Sequence, residues 1–291
     1  MFNCPYCKRQ LLNSLSLFLV LAKLRFYFYR LGLYFRMGPK KSNNYIQSRG
    51  ITLLDFLPEL SYSTGEFKAV PRKHTDDFFL LFLPRERELE AYLKINERET
   101  FVDVGANVGS YSLRIGRSHA HKGVNVIAIE AHPNNYRALC RNIVANGLSN
   151  IKPINLAVSN YKGTIKIYEH VITDEHRDQH SKVQSGHSSI QKTFDKDYFS
   201  EIQCDTLDDI LKDIRPDVMK IDIEGAEVQA LRAATISLKK TRRIIVEIHD
   251  DNLDAVRQIL QDSGFELNEI DGTDGMKHVV GTRETKKQAD I

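Results

Sequence analysis

From residue 100 onward, short apolar runs alternate with segments of helical periodicity, and this alternation restricts the fold more than any other feature of the chain. The runs predicted to be strands are residues 100–105, 124–130, 151–158, 164–169, 217–223, 242–249, 264–270 and 277–282. The segments predicted to be helices are residues 110–118, 133–147, 206–213, 226–239 and 252–263. Several runs are apolar throughout, which is typical of strands buried on both faces. The pattern predicts an α/β fold, with a mostly parallel open sheet, right-handed crossovers and helices on both faces.

The last two predicted strands break this rule, because the turn-rich sequence DGTDGM at 271–276 separates them and leaves no room for a helix. They are therefore predicted to form a terminal antiparallel hairpin at or inside the edge of the sheet. Ligands of such sheets bind outside the carboxyl ends of the central strands. The residues that follow those strands are accordingly the first candidates for a functional site.

Charge is distributed unevenly along the 291 residues. The whole chain carries a formal net charge of +3, whereas residues 1–50 contain nine Lys or Arg and no acid. The remaining residues therefore carry −6, the difference between +3 and +9. A basic head on an acidic body suggests that the head meets an anionic partner, either a phospholipid surface or nucleic acid.

Residues 11–36 join an apolar run to a mixture of aromatic and basic residues. The uncharged run, Leu11 to Ala22, is shorter than the roughly 20 residues of a membrane-spanning helix. Three interpretations remain open: a membrane-peripheral helix, a helical cap on the following domain, or a signal or spanning segment. With four cysteines and no disulfide framework, the default location is the cytoplasm, and the membrane-peripheral interpretation of residues 11–36 would add contact with a membrane.

The predicted organisation has four parts. Residues 1–44 form the basic, apolar and aromatic segment with a linker, and residues 45–99 form a helical lead-in. Residues 100–283 form the α/β domain, and residues 284–291 form a polar tail.

The first predicted strand runs into a glycine-containing loop, in the sequence TFVDVGANVGSYSLRIG at 100–116. Gly105 lets the chain turn off the strand, and Gly109 lets the next helix pack closely. Asn107 and Ser110 stand where a dinucleotide-binding loop has its other glycines, which disfavours a pyrophosphate ligand. Asp103 at the strand end would repel a phosphate and suits an ammonium group. The ligand implied has a cationic amino-acid end and no phosphate.

Glu130, at the end of the second predicted strand, supplies the other half of this signal. A carboxylate in that place accepts both hydroxyls of a ribose. A nucleoside that carries a cationic amino acid is S-adenosyl-L-methionine. Taken alone, Glu130 could equally be a solvated acid at a strand end.

These residues belong to a longer series of motifs that resembles one family, the FkbM-type methyltransferases, within the class I S-adenosylmethionine-dependent enzymes. The series comprises FVDVGANVGSYSL, EAHPNNYRALCRNI, LAVSNYKGTIKIY, GHSS at 186–189, CDTLDDI at 204–210, MKIDIEGAEVQAL at 219–231 and IIVEIH at 244–249. The resemblance covers roughly residues 98–270. It implies a Rossmann-like, seven-stranded sheet and methyl transfer, often to a hydroxyl of a sugar or other small metabolite.

The resemblance also implies residue roles. The residues expected around the methionine end are Asp103, Gly105, Asn107 and Gly109. Glu130 is expected to hold the ribose, and Asn155 to Ala157 are expected near the adenine. Asp205 and Thr206 are interpreted as a helix cap.

The block KIDIEGAE after the fourth main strand is expected to face the methyl group. Asp222 and Glu224 are predicted to orient the cofactor and the acceptor. His249 is predicted to be the base, because an ordinary histidine pKa near 6.5 suits proton removal at neutral pH. The alternatives are a strand-end histidine of structural role and, for Glu227, an acid favoured by a helix N-terminus.

A metal interpretation is weaker. Asp222, His249, Asp250 and Asn252 match only part of a magnesium-binding pattern, so no metal is predicted. Residues 171–199 read as an exposed lid or substrate loop whose GHSS part approaches the substrate.

The predicted function is methylation of a hydroxyl on a sugar, glycan or small metabolite. One alternative is an RNA methyltransferase, which the basic head favours, but no N-P-P-Y block and no RNA-binding motif is present, which disfavours nucleic acid as a partner. The other is a non-catalytic cofactor-binding module tethered to a membrane. The sequence does not determine the oligomeric state.

Overall fold

The computed structural model describes residues 60–73, 75–82, 86–168, 199–249, 251–272 and 275–283, together with residues 24, 25, 27, 28, 31 and 38. Most of the predicted membrane-peripheral segment, the GHSS sequence, Asp250 and the polar tail lie outside these residues. Among the helices that are described, none combines the length and the apolar character needed to cross a bilayer.

The described part of the segment that precedes the sheet, from residue 60, begins with a hairpin. Strands β1 (Tyr62–Ser63) and β2 (Lys68–Ala69) pair antiparallel, and helix α1 (Asp77–Phe82) and a 3-10 turn (Arg87–Leu89) follow. The expected helical lead-in thus contains a tight turn, in which the Phe67 amide donates to Thr64 Oγ1. Apolar side chains of this segment are buried with Phe101 of the central sheet, so the segment packs directly on the sheet.

The first half of the central sheet follows the predicted alternation. Its elements are β3 (Thr100–Val104), α2 (Ser110–Ser118), β4 (Asn125–Ile129), α3 (Pro133–Asn146) and β5 (Ile151–Ile154). These strands pair in parallel, in the order β3, β4, β5.

A three-stranded sheet then interrupts the main one. Its strands are β6 (Ala157–Val158), β7 (Gly163–Tyr168) and β8 (Phe199–Asp205). The prediction of one strand over 151–158 is therefore wrong. The Asn155 side chain donates to the carbonyls of Glu130 and Ala131, at 2.8 and 2.9 Å, and divides the run between two sheets. Strand β8 was not predicted, because Ile202 and Cys204 are its only apolar residues facing a core.

The second half of the main sheet completes the fold. Its elements are α4 (Leu207–Ile210), β9 (Val218–Ile221), α5 (Glu227–Arg232), α6 (Thr235–Lys240), β10 (Arg243–Ile248), α7 (Leu253–Asp262), β11 (Glu266–Asp271) and β12 (Lys277–Thr282). The predicted helix over 226–239 is two helices. The Asp208 carboxylate accepts the amides of Ile236 and Ser237 at 2.9 and 2.7 Å, and so begins a new helix after the break.

The seven strands lie in the order β11-β12-β10-β9-β3-β4-β5. Strand β12 is antiparallel to both neighbours, β10 and β11. This confirms the predicted α/β fold, with its seven-stranded, mostly parallel sheet and a terminal hairpin inside the edge. One core layer covers each face of the sheet. The strand order reverses between β3 and β9, which is where ligands bind in open α/β sheets.

Candidate active site

A cavity of about 450 Å³ lies at the carboxyl ends of β3, β4, β9 and β10. Eight of the ten residues predicted for the site line it: Asp103, Gly105, Asn107, Glu130, Ala157, Asp222, Glu224 and His249. Gly109 and Asn155 do not. The structure therefore brings these eight residues together at one end of the sheet, and their roles stay a prediction.

The two glycines of the loop after β3 are required for different structural reasons. Gly105 has φ +84°, and a Cβ on it would lie 1.7 Å from the Asp222 carbonyl oxygen, so only glycine lets the loop pack on the end of β9. At Gly109, which has φ +98°, a Cβ would lie 2.7 Å from Leu139 Cδ1. Gly109 was expected to line the cofactor site, but it serves the packing of α2 against α3 instead.

Asn107 has the features of a ligand-binding residue. It has φ +50°, which is uncommon for a residue with a side chain, and its amide donates to Glu130 Oε2 at 2.8 Å. Its side-chain oxygen is buried and has no hydrogen-bond partner among the described residues. A buried oxygen of this kind is expected to accept a hydrogen bond from a ligand.

Glu130 is fixed by the backbone on both sides. The amide of His132 donates to Oε1 and that of Asn107 to Oε2, each at 2.8 Å. Burial raises the pKa of Glu130, and these two amides oppose that rise. Each oxygen retains a lone pair toward the cavity, so the carboxylate fits a vicinal diol.

Asp103 and Asn155 complete the predicted cofactor residues. Asp103 is buried and accepts a 2.5 Å hydrogen bond from Ser112 Oγ. Burial raises its pKa, while the charge of Lys220 opposes the rise. Asn155 was expected near the adenine, but its amide is used to hold the end of β4, and Leu156 and Ala157 face the cavity in its place.

Sequence reasoning missed Lys220, a charged residue in the middle of β9. It is 2% exposed, and its Nζ lies 2.8 Å from Asp222 Oδ2 and 3.8 Å from Glu247 Oε2. Burial alone would lower the pKa of Lys220, but the charges of Asp222, Glu86 and Glu247 outweigh it and hold the pKa well above its usual value. The sequence did contain a signal for Lys220, because a lysine inside a strand buried on both faces requires an acidic partner.

Lys220 belongs to a row of ionisable residues that crosses one face of the sheet. Asp103 pairs in register with Lys220, and Glu247 pairs in register with His278. Tyr111 lies above this row, with its ring centroid 4.8 Å from Lys220 Nζ, and its hydroxyl donates to the Glu86 carboxylate. Asp103, Lys220 and Glu247 of this row line the cavity, as does Tyr111.

Asp222, Glu224 and His249 meet at the ends of β9 and β10, as predicted. His249 Nε2 lies 3.4 Å from Glu224 Oε2 and 3.9 Å from Asp222 Oδ1. On its other side, Nδ1 lies 3.0 Å from an oxygen of Glu227, which is fully buried. Glu227 also accepts the Gly225 amide at the start of α5, so it combines a helix-terminal position with a contact that orients His249.

The charges of this cluster change the expected chemistry. Burial by itself would lower the pKa of His249, but the hydrogen bond to Glu227 and the charges of Glu224 and Asp222 raise it to about 9. A pKa raised in this way disfavours His249 as the base, because its cationic form has no lone pair to accept a proton. Burial raises the pKa of Glu224 to about 8, although His249 opposes the rise. Glu224 is thus the group whose protonation changes near neutral pH.

Comparison with known proteins agrees with this geometry. The Methyltransferase FkbM domain matches residues 103–267, which is more than half of the chain. The chain belongs to the FkbM methyltransferase family. Membership confirms the predicted family and the methyltransferase activity class, and it supports S-adenosylmethionine as the methyl donor.

Two curated methyltransferases are similar in sequence. The chain is 24% identical over 191 residues to methyltransferase sdnD of Sordaria araneosa, covering 57% of this chain and 73% of that protein. It is 27% identical over 153 residues to the hexuronic acid methyltransferase AglP of Haloferax volcanii, covering 53% of this chain and 57% of that protein. The chain thus spans little more than half the length of AglP.

Solved structures are more distant. A crystal structure of methyltransferase FkbM from Methylobacillus flagellatus is 22% identical, with a TM-score of 0.46 over 67% of this chain and 46% of that one. Fibrillarin of Aeropyrum pernix, solved with bound S-adenosyl-L-methionine, is 10% identical, with a TM-score of 0.41 over 67% of this chain and 72% of that one.

Proposed function

We propose that the chain transfers the methyl group of S-adenosyl-L-methionine to a hydroxyl of a sugar, glycan or other small metabolite. The observation that carries this proposal is one cavity with two separate acidic ends. Glu130 offers a diol-binding carboxylate at one end, and Asp222, Glu224 and His249 form an ionisable cluster at the other. The name of AglP, a hexuronic acid methyltransferase, supports a sugar as acceptor.

The residues present fit the proposed donor. Glu130 receives the ribose hydroxyls, and Asn107 directs its unpartnered oxygen at the bound molecule. Asp103 provides negative charge for the methionine ammonium, and Leu156 and Ala157 give an apolar surface for the adenine. When bound, the donor supplies a sulfonium methyl group that is open to in-line displacement by a nucleophile.

The protein's contribution to the transfer is to position the acceptor and to receive its proton. The Glu224 carboxylate takes the proton of the acceptor hydroxyl as the oxygen forms its bond to the methyl carbon. With the donor bound, its carbon–sulfur bond would break in the same step and leave the electron pair on sulfur. His249, cationic and held by Glu227, stabilises the Glu224 carboxylate before the transfer. The base is therefore reassigned from His249 to Glu224.

Asp222 orients this cluster without titrating near neutral pH. Burial would raise its pKa, but the charge and hydrogen bond of Lys220 outweigh burial and lower it. Asp222 therefore stays ionised beside His249, and its charge adds to the effects of Glu227 and Glu224 that raise the pKa of His249.

The test uses donor carrying a labelled methyl group, purified protein and fractions of cell extract. Label in a glycan or small-molecule fraction, released by chemistry that cleaves methyl ethers, is the expected result. Label in RNA, or consumption of donor with no fraction labelled, would contradict the acceptor class. Calorimetry with the donor is run in parallel, and no detectable uptake of the donor would remove the basis of the proposal altogether.

A further inference from the structure

A second cavity of about 450 Å³ lies beside the first, between residues 72–75 and the beginning of α3. Four of its lining residues are cationic: Arg72, Lys73, Arg137 and Arg141. The other described lining residues are Thr75, His132, Asn134, Asn135 and Ala138, so the described part of the wall has no carboxylate. Arg137 and Arg141 stand in the motif EAHPNNYRALCRNI, but the proposed transfer reaction uses none of the four cations.

One of the four cations is fixed in place. Arg72 forms two parallel bonds to the buried Asp77, from Nε at 2.8 Å and from Nη2 at 2.7 Å, and Nη2 also donates to Asn135 Oδ1 at 3.0 Å. Asp77 balances its charge. Lys73 and Arg137, by contrast, form no ion pair with any residue that the structure describes. The cavity therefore carries net positive charge, with Arg72 as a cation fixed by its contacts with Asp77.

Helix α3 adds to this positive potential. It has 14 residues, none of them acidic, and its N-terminus lies at His132, which lines the cavity. The positive end of a helix dipole favours an anion, and no acid in the first turn cancels it. Guanidinium groups recognise phosphate oxygens in bidentate geometry.

The two cavities are contiguous, because His132 and Asn135 line both of them. The amide of His132 is also the group that holds Glu130. An anion in the second cavity would thus lie next to the ribose end of the first. The donor has no phosphate, so a phosphate bound there must come from another molecule.

We propose that this cavity binds a phosphate or diphosphate group carried by the methyl acceptor, an inference that rests on the function proposed above. The acceptor would then be a phosphorylated sugar, a sugar linked to a nucleoside diphosphate, or a glycan on a lipid phosphate. All three present the same oxyanion to Lys73, Arg137 and Arg141.

The test measures binding of inorganic pyrophosphate to the full chain by calorimetry, at low and moderate salt. Pyrophosphate is expected to bind, and its affinity is expected to fall with added salt. Lys73→Gln with Arg137→Gln should weaken it by about tenfold or more, because each bond to a charged group is worth about that factor. Arg215→Gln with Lys212→Gln, which removes two exposed charges elsewhere, is the matched control and should leave it unchanged. Thermal unfolding of each variant shows that it is folded.

Two further measurements complete the test. They distinguish the molecules that could carry the phosphate, and they distinguish a failure of this inference from a failure of the proposed function. Competition by a soluble sugar diphosphate, with donor affinity unchanged in the Lys73 and Arg137 variant, supports the proposal. Binding only to phosphatidylglycerol vesicles, no pyrophosphate binding, or equal binding by the variant overturns it. If pyrophosphate binds as expected but no acceptor is ever methylated, the proposed function fails and the anion site stands.

Discussion

Replacing Lys220 by methionine tests the most unusual feature of the sheet, a cation sealed within it. Methionine fills a similar volume, so the change acts through charge more than through packing. Asp222 then lacks the cation 2.8 Å away that keeps it ionised, and Glu247 and Glu86 lose the charge beside them. Removing one partner of a buried ion pair costs about 3–5 kcal/mol, and we expect a loss of that size in the free energy of unfolding at pH 7.

The pH dependence of this loss in unfolding free energy shows whether the broken ion pair causes it. The pKa of Asp222 is lowered in the folded protein, so the stability that it contributes is present above its ordinary value of 3.8 and is lost as pH falls through the folded value. Because the pKa of Lys220 is raised in the folded protein, the stability that Lys220 contributes is complete at any pH below its ordinary pKa of 10.5. The difference between wild type and variant should therefore be largest between these two values and should shrink only as pH falls below 3.8.

Guanidinium chloride unfolding, followed from pH 8 down to values well below 3.8, measures this difference. Lys212→Met, at an exposed lysine, is the control and should change stability by less than about 0.5 kcal/mol. A Lys220→Met deficit below about 1 kcal/mol at pH 7, or one that does not shrink as pH falls below 3.8, would refute the ion-pair reasoning.

Three other outcomes follow from the site. Gly105→Ala should destabilise the protein by more than about 4 kcal/mol, because its Cβ would overlap a carbonyl at the end of β9. Gly147 has a similar backbone conformation but open space around it, so Gly147→Ala should cost only about 1–2 kcal/mol. Chemical denaturation compares the two variants. Glu130→Ala should weaken donor binding by about tenfold or more in calorimetry, and unchanged affinity would remove the ribose role. The methylation rate should rise with pH as Glu224 loses its proton near 8, and it should fall as His249 loses its own near 9. Glu224→Gln should abolish the rise. If the rate of this variant still rises with pH, another group is the base.

The sequence predicted most of the sheet, because each strand and helix there is encoded by its own periodicity. It failed where a side chain distant in sequence decides the outcome. Asp208 begins α6 by accepting two amides nearly 30 residues away, and Asn155 ends β5 by binding carbonyls of the preceding strand. Neither contact leaves a local pattern in the chain.

The same distinction applies to the site. Glu130 and Asp103 could be located because strand ends meet at one edge of a parallel sheet. The pKa of His249 could not be predicted, because Glu227, Glu224 and Asp222 raise it only through their arrangement in space. The position of Glu86 beneath Tyr111 likewise depends on how the preceding segment folds onto the sheet.

That preceding segment has a consequence for how the cavity can diversify. Asp76, Leu80 and Glu86 line the cavity, yet all three lie upstream of residue 103, where the family match begins. The donor-facing wall and part of the opposite wall are thus encoded in different stretches of the chain. Substitutions in residues 76–86 can reshape the chamber while the loop after β3 and the carboxylate after β4 keep their sequence.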